Sequence, residues 1–125
     1  MYKPEGQNSV SPYLVVADLP VAVKFIKQVF GGKLTYEHRR PDGRVGHAEV
    51  RIDDTVVMIG EMPGGPEAQV HVYVSDVDAV FERALEAGAT VAQAVAEKGD
   101  GDRRGGVVDD CGTTWWIATM VDPRG

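Results

Sequence analysis

The side chains best equipped for chemistry are two histidine–partner pairs and a set of aromatics with polar tips. His47 and Glu49 stand two apart, as do His71 and Tyr73. Two-residue spacing in an extended chain puts each pair on one face. Imidazole and carboxylate are ligands of a kind that suits Zn, Fe or Ni. They serve equally well as hydrogen-bonding groups in a polar cavity, and for His71 that role outranks metal ligation. For His47 and Glu49 a solvated or cross-strand charged pair is as good an explanation as a site. His38 lies beside Arg39-Arg40 and is expected to face solvent. Cys111 sits in a turn sequence with no base nearby and is expected to be incidental. Trp115 and Trp116 are adjacent, so in a strand they point to opposite faces. Parity alone does not say which of them is core.

The elements that must position these groups come from periodicity. One helix is predicted from Asp18, an N-cap residue followed by Pro20, with Val21, Phe25, Ile26 and Val29 on its apolar stripe and Gly31-Gly32 at its end. A second is predicted from Ser75 or Asp76, with Val77, Val80, Phe81, Ala84 and Leu85 inward and Gly88 as stop. An apolar strand ending in Asp precedes each helix, and Asp18 and Asp76 are 58 residues apart, close to half the chain. Such an offset indicates two copies of one supersecondary unit. Alternation predicts strands through Ala48, Val50 and Ile52 and through Val70, Val72 and Val74. Hairpin turns are expected at Pro41–Arg44, Asp53-Asp54 and 109–112. Each half therefore reads strand, helix, strand, strand, strand. Module one spans about 8–62, a Pro/Gly-rich linker 63–67, and module two about 68–121, all in one domain of 1–125. Lys98–Gly106, with four glycines, is expected to be loose.

Composition narrows the function classes. The 125 residues carry 13 basic and 19 acidic side chains, a formal charge of −6. That balance argues against nucleic acid, whose affinity comes from neutralised phosphates, and against an anionic membrane surface. Arg39-Arg40 and Arg103-Arg104 are the dense basic spots and are expected at solvated hairpin ends. No apolar run approaches the roughly 20 residues of a membrane span. The first residues lack a signal-peptide core, and one cysteine makes no internal disulfide, so a cytoplasmic protein is expected.

One helix per half-sheet covers one face of it. Leu14, Val16, Ala48, Val50, Ile52, Val72 and Val74 belong to that face. The opposite face carries Ser11, Tyr13, His47, Glu49, Arg51, His71 and Tyr73, a mixture too polar for a core and too aromatic for plain solvent. Such a mixture is what a ligand cup presents.

Four stretches give the sequence a family resemblance: Ser11-Pro12-Tyr13 ahead of Asp18, Gly46–Ile52 running to Val57–Ile59, His71–Asp78, and Gly101–Arg103 leading to Val108–Thr119. They resemble the vicinal oxygen chelate superfamily, which includes glyoxalase I, extradiol dioxygenases and bleomycin-resistance proteins, and most of all its PhnB-like branch. The resemblance implies an α+β fold of two βαβββ modules forming a curled mixed sheet around a cup. In metal-dependent members four strand positions ligate a divalent ion. Here they fall on Ser11, on Ile59 or Glu61, on His71 and on Trp116. Serine and tryptophan are poor ligands and isoleucine is none. His71 and Glu61 alone fall short of the usual three protein ligands, and only His47 and Glu49, if they joined them, would complete a set. No tightly bound metal is therefore expected, with a divalent ion as the alternative cofactor. The resemblance also sends Trp116 into the cup. It implies a binding protein holding a planar or aromatic ligand in an inter-module cup, with Tyr13, His47, Glu49, His71, Tyr73 and Trp116 as ligand-binding residues, in a homodimer. The alternative is a metal-dependent lyase, isomerase or dioxygenase.

Overall fold

The computed structural model describes residues 3–123. The chain divides into two compact units, one ending at Pro66 and one beginning at Glu67. Unit one contains β1 (Tyr13–Val16), α1 (Leu19–Phe30), β2 (Lys33–Arg39), β3 (Val45–Ile52) and β4 (Thr55–Glu61). Unit two repeats the order with β5 (Gln69–Tyr73), α2 (Val77–Glu86), β6 (Thr90–Glu97), β7 (Asp102–Val108) and β8 (Thr114–Met120). The sheets run β1-β4-β3-β2 and β5-β8-β7-β6. In each, the first strand lies parallel to the last, and the other pairings are antiparallel. These are two α+β modules of the βαβββ kind, with mixed four-stranded sheets.

Each helix starts where its N-cap says. Asp18 and Asp76 accept hydrogen bonds from Val21 N and Ala79 N at 3.1 Å. Gly31 closes α1 in the left-handed conformation, at φ 67°. A second, less obvious acceptor sits at each helix start. Glu61 Oε2, at the end of β4, accepts from Leu19 N at 2.9 Å, and Thr119 Oγ1, near the end of β8, accepts from Val77 N at 2.9 Å. Orphan amide donors of the first helical turn are thus tied to the strand that pairs with the strand entering the helix. The buried stripe of α1 is Leu19, Ala22, Val23, Phe25, Ile26 and Val29, whereas Val21, expected inside, is 41% exposed. At 3.6 residues per turn Val21 falls outside the arc that Ala22, Ile26 and Val29 share.

The predicted apolar face of unit one is in place, with Leu14, Val16, Ala48, Val50 and Ile52 buried; in unit two Val72 and Val74 are only half-buried, and Trp115, Ile117 and Val107 form the buried centre. One expectation for unit two is corrected. Asp102–Val108 is a regular strand and not a loose stretch. Its glycines are there for clearance. A Cβ on Gly105 would stand 2.8 Å from Phe81, and one on Gly106 2.6 Å from the Trp116 ring. Arg103 and Arg104 stand, as expected, at the end of the β6–β7 hairpin, paired with Glu97 and Ala96 and pointing to opposite faces. Arg103 binds Asp78 of α2 through two nitrogens, at 2.9 and 2.8 Å.

The turn between β7 and β8 is organised by Asp109, which is buried. Its Oδ1 accepts from Cys111 N and Thr113 N, and its Oδ2 accepts from Trp115 Nε1 at 2.8 Å. Asp109→Ala leaves a buried indole N–H and two amides without these partners. It should cost about 3 kcal/mol, because each unsatisfied buried donor costs about 1–3 kcal/mol. Urea unfolding followed by tryptophan fluorescence measures this.

Candidate functional site

On the face of unit one that α1 does not cover, four side chains form a chain of contacts. Tyr13 Oη lies 3.4 Å from His47 Nδ1, and His47 Nε2 lies 3.0 Å from Glu49 Oε2. Gln7 Nε2 donates to Glu49 Oε1 at 2.5 Å. Because the carboxylate accepts, Nε2 of His47 is the donor in this contact. The rings of Tyr13 and His47 stack with centroids 5.8 Å apart, and Tyr36 approaches His47 edge-on at 6.2 Å. This close approach needs Gly60, paired with His47 in the sheet, because a Cβ there would stand 2.6 Å from Tyr13 Oη. His38 pairs with His47 across the strands and is exposed. Glu49 is only 8% exposed although it belongs to the polar face, because Gln7 and His47 cover it.

Unit two builds a comparable face from different residues. His71, Trp116 and Gly106 lie in one row across β5, β8 and β7. The Trp116 ring packs against the bare backbone of Gly106, and its Nε1 donates to Gln69 Oε1 at 3.0 Å. His71 and Tyr73 rings lie 4.7 Å apart. Arg104 donates from Nε to His71 Nε2 at 3.0 Å and from its terminal nitrogens to Asp100 and Asp102, at 2.8 and 2.6 Å. Tyr73 Oη donates to Asp102 Oδ2 at 2.7 Å. A guanidinium has donors only, so His71 Nε2 must accept and the ring proton sits on Nδ1. The hydrogen bond from Arg104 holds Asp100 below the usual carboxylate range. A cavity of about 520 Å³ opens beside Tyr73, Val74, Ser75 and Met120.

Trp115 is fully buried and Trp116 is not, which settles the parity question as expected. Sequence reasoning missed Gln7, Tyr36, Gln69, Asp102 and Arg104. Only the glycines had a legible signal, since glycine inside a strand often marks a close approach.

The metal positions fare differently. Ile59 and Glu61 both face α1, the opposite side of the sheet from His47 and Glu49, so these four side chains cannot converge. Ile59 is fully buried, and Glu61 is engaged by Leu19 N and by Arg44, at 2.6 Å. Arg40 donates to the Glu61 backbone carbonyl. The ring nitrogen of Trp116 is a donor, and Nε2 of His71 already accepts from Arg104. This donor set does not fit a divalent ion. Among the described residues, no three His, Cys, Asp or Glu side chains group as metal ligands.

The sequence model of the Glyoxalase/Bleomycin resistance protein/Dioxygenase superfamily matches residues 6–117. The chain belongs to this superfamily. An uncharacterized protein of Mycobacterium bovis is 37% identical over 92% of this chain and 85% of its own length. Among solved structures, TioX from Micromonospora sp. ML1 is 29% identical, with a TM-score of 0.76 over 90% of this chain and 98% of that one. The fosfomycin resistance protein FosX of Listeria monocytogenes, solved with Mn(II) and sulfate, shares the fold at 16% identity, with a TM-score of 0.73 over 90% of each chain. No helix among the described residues is long and apolar enough to cross a membrane.

Glu61 has a measurable consequence. The Leu19 backbone N–H, and then Arg44, hold its carboxyl below its ordinary value of 4.5, against the opposing effect of burial. A lowered carboxylate contributes stability that is present above the unfolded value and lost as pH falls through the folded one. Glu61→Gln should therefore destabilise the protein by about 1–3 kcal/mol at pH 7. The gap to the parent should close as pH falls below 4.5, which urea titrations at several pH values would measure.

Proposed function

We propose that this member of the superfamily is a small-molecule binding protein that holds a planar or aromatic ligand against the sheet faces its helices leave uncovered. The observation that carries this reading is Trp116, packed on Gly106, tethered to Gln69 and in register with His71. A tethered indole offers a flat ligand a preset stacking surface at little cost in side-chain entropy. His71 and Tyr73 supply hydrogen-bonding edges beside it, and Tyr13, His47 and Glu49 do so in unit one. The motif likeness supports the PhnB-like branch, and the acidic, single-cysteine composition supports a cytoplasmic protein without nucleic-acid or membrane partners. A metal-dependent reaction is not assigned, because the donor set does not fit the ion.

The test is a pair of substitutions read against a panel of planar compounds by tryptophan fluorescence. Trp116→Ala should weaken binding with little change in stability, losing stacking worth ~0.5–1.5 kcal/mol beyond burial. Trp115→Ala should instead cost about 3–5 kcal/mol of stability, as large-to-small core substitutions do. Swapped phenotypes, or no ligand quenched in the parent, would sink the proposal.

We also propose a homodimer, since each sheet taken alone has two edge strands, and exposed edges are commonly covered. Light scattering at micromolar concentration should give twice the 13.5 kDa chain mass.

A further inference from the structure

A second cavity, of about 520 Å³, lies in unit one where residues 4–7 run along β2 and β3. Its lining carries two acids, Glu5 and Glu49, and one base, Arg51. Arg51 Nη2 donates to Gly6 O at 2.9 Å, and among the described residues its guanidinium meets no other acceptor. Glu49 is buried two residues away on the same face. Gln7 donates from Nε2 to Glu49 Oε1, which fixes the amide orientation, because the flipped group would set oxygen against carboxylate. Gln7 Oε1 is consequently left buried with no hydrogen-bond partner among the described residues. Tyr36 forms an aromatic wall.

We propose that this cavity binds a small zwitterion of the α-amino-acid type. The guanidinium of Arg51 matches a carboxylate in geometry and charge. The buried Gln7 oxygen calls for a donor, and the negative charge of Glu49 and Glu5 favours a positive one, which an α-ammonium supplies. A simple anion would meet Glu49 and Glu5, a simple cation would meet Arg51, and a neutral ligand would leave Arg51 without a counter-charge. Tyr36 favours an apolar or aromatic side chain on the ligand. The site shares Glu49 with the planar-ligand reading but uses nothing of Trp116 or unit two, so either can fail alone.

The experiment is calorimetric titration at pH 7 with free phenylalanine, phenethylamine and 3-phenylpropanoate. These present both charges, the cation alone and the anion alone on one aromatic body. Phenylalanine should bind at least about tenfold tighter than either of the others. Arg51→Met should remove its advantage over phenethylamine while leaving phenethylamine unaffected. Gln7→Leu should remove its advantage over 3-phenylpropanoate while leaving that acid unaffected. Equal binding of the three ligands by the parent protein, or no binding of phenylalanine at millimolar concentration, overturns the proposal, and neither result depends on a variant folding. Variants that weaken all three ligands equally overturn it too.

Discussion

Each four-stranded sheet has one helix to cover it, and one helix covers one face. The rest of the molecule follows from this constraint. On the covered side the strands must be apolar, and Leu14, Val16, Ala48, Val50 and Ile59 are buried there in unit one. On the other side no element of the unit supplies a hydrophobic partner, so that face must satisfy itself. It does so with hydrogen bonds between side chains: Tyr13 to His47 to Glu49 to Gln7 in one unit, and Tyr73 to Asp102 to Arg104 to His71 in the other. A surface held by such bonds is ordered yet polar, which suits recognition of a small molecule.

The helix must also be held at the right angle, and both units use the same place for it. The last part of the final strand carries an acceptor to the first helical amide, Glu61 in one unit and Thr119 in the other. The chemistry differs between copies. Glu61 is a charge buried beside α1, and it is stable there because the helix amide and Arg44 both face it. Thr119 is neutral and donates onward to Val74 O. This structural duty removes Glu61 from any metal site on the opposite face.

Glycines serve the uncovered face in a way that composition conceals. Gly60 and Gly106 sit in strands, where glycine is normally weakening. Each lets an aromatic ring lie close against the sheet, Tyr13 over one and Trp116 over the other. The lost strand propensity is offset by ring packing and by a flat, positioned aromatic surface.

Local pattern in the sequence was enough to determine the two-module order, both helix caps, the apolar faces and the opposite orientations of Trp115 and Trp116. Each depends on periodicity or on a capping residue within a few positions, and such signals survive without tertiary information. Strand Asp102–Val108 was hidden because its glycines answer to Phe81, Val95 and Trp116, which are distant in sequence. The face of Glu61 was hidden for a similar reason. Parity grouped it correctly with Ile59, but only the pairing of β4 with β1 and β3 shows that both look toward α1. Gln7 lies in no element, and its partner Glu49 is 42 residues away. Which polar residues meet on one face was therefore decided by strand register, since long-range pairing has no local signature in the chain.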